Sequence, residues 1–170
     1  MCKEIRCLLL KSLKGFPDPM SNFVGSFILF QSTIEEKPHW LAHWNYERQE
    51  FMLPGARKRP YETFQHCLIS DLEKSFELAP FEDFIISREP LAHLAFSMKP
   101  LDDESSEHYI IELFDFHEIQ GSAKQVLEQD LRNRWVNELE IEAGCTIDGF
   151  PISDLFRTLY HKANLANRLS

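Results

Sequence analysis

The spacing of apolar and polar positions changes several times along the chain, and each change marks an element. Residues 23–31, FVGSFILFQ, are nearly continuous in apolar and β-favouring residues and predict a buried strand. Residues 39–46, HWLAHWNY, alternate instead. Trp40, Ala42 and Trp44 fall on one side and Leu41, His43 and Asn45 on the other, which predicts a second strand with a largely aromatic face. ERQEF reads as a polar turn, and FML leads into Pro54–Gly55.

Between 61 and 78 the period becomes helical. Phe64, Leu68, Leu72 and Phe76 recur every four residues with Cys67 beside them. Thr63 or the Tyr61–Glu62 pair stands at the start and Pro80 closes the end. The spacing predicts a helix over 62–77 with that stripe buried. Residues 81–100 read as β-rich with a break at Pro90, and 101–107 as an acidic, solvated loop. The clearest strand is 108–119, with apolar residues at 109, 111 and 113 and again at 114 and 116. Residues 122–134 are polar and read as loop or short helix. After the turn IDGFP, residues 152–169 carry Leu155, Leu159 and Tyr160 at helical spacing, with Ser153 or Asp154 as the N-cap.

The order is strands, helix, strands, helix. It lacks the regular alternation of a doubly wound sheet and predicts an α+β fold, a mixed β-sheet sandwiched between helices. Residues 1–22 end in the turn-rich GFPDPMS and read as a leader to one domain spanning 23–170. At 170 residues the chain suits a single domain, and a chain of that size buries roughly 70% of its unfolded surface. Fourteen Phe predict a Phe-rich core.

A formal charge of −9 disfavours general coating of nucleic acid, which depends on neutralising phosphates. Cys2, Cys7, Cys67 and Cys145 form no C-x-x-C and show no zinc spacing, so they read as free thiols in a reducing cytoplasm. The run CLLL is too short for a signal peptide, and no run approaches the roughly 20 apolar residues of a membrane span.

Chemistry concentrates around LPGARKRPYETFQHCLISDLEKSFEL, residues 53–78. Leu53–Pro54–Gly55, Glu62–Thr63 and Leu72 resemble the signature of the Nudix hydrolase superfamily, G-x5-E-x7-R-E-U-x-E-E-x-G-U with U a bulky aliphatic. Trp135–Val136–Asn137 followed by Glu138, and the last helix, extend the resemblance over roughly 23–165. It implies a loop–helix–loop that holds Mg²⁺ or Mn²⁺ on helix glutamates and cuts nucleoside diphosphates linked to another group.

The sequence departs from that signature where the metal would bind. Six residues, not five, separate Gly55 from Glu62. The Arg-Glu pair is Ser70–Asp71, the paired glutamates are Lys74–Ser75, and the closing glycine is Glu77. Positions 71, 74 and 75 share one helix face, so a single short carboxylate stands there beside an ammonium of the same sign as a dication. No metal site is expected, and Mg²⁺ or Mn²⁺ enters only if the chain is a hydrolase.

Arg57, Lys58 and Arg59 precede the helix N-terminus and are the candidate anion site, Arg being suited to bidentate phosphate binding. Of Trp40 and Trp44, one reads as core; Trp44 is the candidate for stacking on a flat ligand. The seven His are spread out and read as surface or satisfied residues. If chemistry survives, Asp71, Glu138 and Glu140 are its candidates, the last two from a late acidic loop.

The leading reading is a Nudix-like domain without catalysis that binds a nucleotide, another phosphate-bearing small molecule or a protein partner. The alternative is a divergent hydrolase of nucleoside diphosphate-linked substrates. A purely structural interaction domain is the third reading.

Overall fold

A computed structural model describes residues 22–99, 106–119 and 121–165. The expected leader, most of the acidic loop at 101–107 and the end of the last helix lie outside the described residues. The elements are β1 (Asn22–Leu29), β2 (Gln31–Ile34), β3 (Lys37–Asn45), β4 (Glu50–Met52), β5 (Gly55–Arg57), α1 (Phe64–Phe76), β6 (Phe84–Ile86), β7 (Ala92–Met98), β8 (Glu107–Glu118), α2 (Ser122–Gln129), β9 (Asn133–Asn137), α3 (Glu138–Ala143) and α4 (Asp154–Lys162).

They form two sheets. The larger has the order β5-β1-β8-β6, with β7 also paired to β8, and the smaller has the order β2-β3-β4, with β9 on β3. β1 and β8 are parallel and every other strand pair is antiparallel, so the larger sheet is mixed.

Alternation along β1 and β8 divides the core. Phe27, Leu29, Tyr109, Ile111 and Leu113 face a cluster with Trp40, Phe51, Val136 and the α4 residues Phe156 and Leu159. Ile28, Phe114 and Phe116 face the opposite way, onto Cys67, Leu68, Leu72 and Phe76 of α1 and Leu127 of α2. This is the expected sandwich, with a period of two deciding which helix each strand residue meets.

The central helix begins later than its apolar spacing suggests. Tyr61 adopts a left-handed φ of 66° and Thr63 is the N-cap, its side chain accepting a hydrogen bond from the His66 N–H. Phe64 is only half buried, whereas Leu68, Leu72 and Phe76 are buried as expected. The sequence around 122–134 resolves into α2 and the start of β9. Residues 138–143, expected as part of a loop, form α3. Ser153 is the N-cap of α4, accepting from the Phe156 N–H at 3.1 Å. No helix among the described residues is long and apolar enough to cross a membrane.

Replacing Leu68, which is fully buried between α1 and the larger sheet, with Ala should cost roughly 2–5 kcal/mol. Urea denaturation measures this, and a change within error would show that the α1 stripe is not core.

Candidate functional site

The loop leading into α1 is fixed by a close approach of β5 to β1. Phe27 pairs with Gly55, and the Ile28 N–H donates to the Pro54 carbonyl at 2.9 Å. A Cβ on Gly55 would lie 2.6 Å from the Ser26 carbonyl oxygen and 2.4 Å from the Phe27 ring. Gly25, opposite Arg57, has the same constraint, with the Ala56 carbonyl oxygen 2.4 Å from such a Cβ. Neither position can take a side chain without parting the strands.

The three cations that follow separate. Arg57 lies over the Phe23 ring, 5.0 Å from its centroid. Lys58 donates its N–H to the Val24 carbonyl and sets its ammonium 5.7 Å from the Phe64 ring centroid. Arg59 turns onto carboxylates. Its Nε and Nη2 donate to Oε1 and Oε2 of Glu62 at 2.9 and 2.8 Å, and its Nη1 donates to Oδ1 of Asp71 at 2.9 Å. Cys67, buried beneath, accepts from the Arg59 N–H at 3.2 Å and donates its thiol to Glu62 at 3.4 Å. The bidentate guanidinium holds the Glu62 carboxyl down at about 2, against an ordinary 4.5, and raises Arg59 itself further above its usual range.

The clasp also accounts for the extra residue in the loop. Tyr61 is fully exposed and bulges outward, while Glu62 reaches back to Arg59. At the far end of α1, Glu77 adopts a left-handed φ of 56° and caps the helix. That is the position where the signature places glycine, the residue that takes this conformation most readily. The resembled signature, counted from Glu62, sets Asp71, Lys74 and Ser75 where it implies a metal.

These residues do not fit a divalent cation. Asp71 is engaged by Arg59, and Lys74 and Ser75 are exposed and offer no carboxylate. Among the described residues, no group of three His, Cys, Asp or Glu is placed to hold a metal.

Beside the loop lies a crevice of about 410 Å³ between β1 and β5 on one side and the ends of β3 and β4 on the other. Phe23, Phe27, Trp44, Met52 and Arg57 line it, with His43 and Glu47 among its polar groups. Trp44 is half buried and meets Phe51 and Phe150 edge-on at 4.9 and 5.7 Å, which fixes its ring. Trp40 is the core tryptophan, packed edge-on against Tyr160. The crevice thus brings together Trp44 and Arg57, and neither Lys58 nor Arg59 lines it.

Glu138 and Glu140 belong to a different part of the fold. Glu138 is exposed on α3. Glu140 completes a capping box with Asn137, accepts from the Ile147 N–H at 2.9 Å and pairs with Arg134 at 3.5 Å. Among the described residues, neither makes a hydrogen bond or ion pair with the Asp71 cluster.

Two contributors have no evident signal in the sequence. His43 bonds through Nδ1 to Asn133 at 2.7 Å and packs its ring edge-on against Phe76, joining the crevice wall to the end of α1. Arg132, paired with Asp130, donates to the Ser75 carbonyl at 3.3 Å and ties down the same helix end. Arg132 in turn lowers the Asp130 carboxyl below its ordinary range. The two hydrogen bonds span 90 and 57 positions and the ring contact joins residues of different elements, so local spacing does not expose them.

Solved structures share this architecture. NrtR of Shewanella oneidensis matches with a TM-score of 0.56 at 12% identity, over 85% of this chain and 63% of that one. The Nudix domain of the same NrtR, in complex with ADP ribose, matches with a TM-score of 0.51 at 14% identity, over 98% and 99%. A mutT/nudix family protein from Listeria innocua matches with a TM-score of 0.50 at 16% identity, over 88% and 95%. The chain has the Nudix fold. No family model matches it, and neither does any curated protein sequence.

The depressed Glu62 carboxyl gives the clasp a defined pH dependence. Ionised Glu62 stabilises the folded chain fully above its ordinary value near 4.5, and that contribution is lost as pH falls through about 2. Arg59→Gln should therefore melt below wild type near neutral pH, and the two melting curves should converge in acid. A constant gap across the acid range would show that Arg59 acts by packing alone.

Proposed function

We propose that this domain is a non-catalytic ligand-binding module that receives a nucleotide or related phosphate-bearing small molecule in the crevice beside the α1 loop. The observation that carries this reading is the separation of two halves of the site. The crevice is open and aromatic, with a cation at its edge. The helix face that would hold a metal carries one carboxylate, and that carboxylate is taken by Arg59.

The crevice chemistry suits a flat ring joined to an anion. Trp44 lines the crevice with its ring braced by Phe51 and Phe150, and Phe23 and Phe27, stacked at 5.5 Å, supply a second apolar wall. Arg57 sits over Phe23 with its guanidinium at the crevice, where it can meet a phosphate oxygen. The complex of the NrtR Nudix domain with ADP ribose supports a ligand of this class on this fold. Of the three cations, Arg57 is the one that lines the crevice and so stands where an anion would enter.

Binding of this kind does not depend on a divalent ion. Isothermal titration with ADP and ADP ribose should give the same affinity in EDTA as in Mg²⁺. Trp44→Ala should weaken binding about tenfold or more, since stacking contributes on the order of 1–3 kcal/mol per base. Arg57→Glu should weaken it further and reduce its salt dependence. Absence of binding by the wild-type chain would remove this reading. Mg²⁺-dependent hydrolysis that disappears in Asp71→Ala would replace it with the hydrolase.

A further inference from the structure

We infer that Arg59 is the resident cation of this site, a guanidinium seated on the carboxylates where the resembled signature implies a divalent ion. The inference rests on the metal-free reading of the α1 face and says what fills it. Three observations on one side chain carry it.

The first is the ligand set. Arg59 bridges Glu62 of the loop and Asp71 of the helix through three hydrogen bonds of 2.8–2.9 Å, in a fork geometry that ammonium cannot reproduce. Asp71 is the sole carboxylate of the 71, 74, 75 face.

The second is support from below. The buried Cys67 accepts the Arg59 N–H and donates to Glu62, so backbone, thiol and carboxylate form one closed network. Arg59 is thus positioned at its backbone as well as at its guanidinium.

The third is charge. Two carboxylates brought together at a half-exposed site repel unless a cation joins them. In an enzyme of the resembled type a dication does this. Here a covalently attached monocation does it at an effective concentration that no free ion matches. Lys74, on the same face, adds repulsion to any incoming metal.

The consequence is a site closed to Mg²⁺ and Mn²⁺ in the wild-type chain and opened by removing one side chain. Melting of the full-length chain with low-millimolar Mn²⁺, and separately with low-millimolar guanidinium, tests it. Wild type should be indifferent to both. Arg59→Ala should melt several degrees lower, and either cation should restore part of the loss, by about 2–4 °C. Adding Asp71→Asn to Arg59→Ala should abolish that recovery, because one of the bridged carboxylates is gone.

Mn²⁺ electron paramagnetic resonance on the wild-type chain decides the matter without relying on a destabilised variant, the expected result being the undiminished signal of the free ion. The inference is overturned by wild-type Mn²⁺ binding that vanishes in Asp71→Asn. It is overturned equally by an Arg59→Ala chain that neither cation restores. These outcomes are separate from nucleotide binding, which depends on Trp44 and Arg57.

Discussion

The parallel ladder of β1 on β8 is the constraint from which the rest of the structure follows. It runs in register from Asn22–His108 to Leu29–Asp115, with both faces of its central part covered. These two strands, far apart in sequence, contribute residues to both core clusters, so the packing of the helices and of the smaller sheet rests on one long-range pairing. β5 then lies along the free side of β1, close enough that Gly25 and Gly55 have no room for a side chain. That contact fixes where the chain leaves the sheet, and with it the loop that carries Arg57, Lys58 and Arg59.

From this exit point the site divides into two electrostatic territories. On the crevice side, aromatic rings and Arg57 line an open surface. On the helix side, charges are matched internally: Arg59 with Glu62 and Asp71, Arg132 with Asp130. Exposed ion pairs contribute little when isolated, but the Arg59 network has fork geometry and a buried thiol beneath it, which gives it direction. The two territories meet at His43, whose ring touches Phe76 of α1 while its strand lines the crevice.

Much of this fold is legible in residue spacing. The period-two pattern of 109, 111 and 113 followed by 114 and 116 marks one strand serving two cores, and the four-residue stripe marks α1. The start of α1 is less legible, because the left-handed Tyr61 and the backward reach of Glu62 answer to Arg59 and not to helix propensity. The run Arg57–Lys58–Arg59 reads as one patch, yet strand and loop geometry send its members to Phe23, Phe64 and two carboxylates in turn. A run of like charges specifies no direction. Residues 137–140 do contain a readable device, Asn137 followed three positions on by Glu140, the pattern of a capping box. A reading of that stretch as acidic loop overlooks it.

The Arg59 clasp also bears on how such a chain can change over generations. A carboxylate arising at position 74 or 75 alone meets a guanidinium already seated on Asp71, and no metal site results. Loss of Arg59 alone leaves Glu62 and Asp71 facing each other without their bridging cation, which loosens the loop before any further carboxylate is in place. A first change at position 59 unsettles the loop, and a first change at 74 or 75 meets a guanidinium already in place. The side chain that steadies the loop therefore also sets the order in which its neighbours can change.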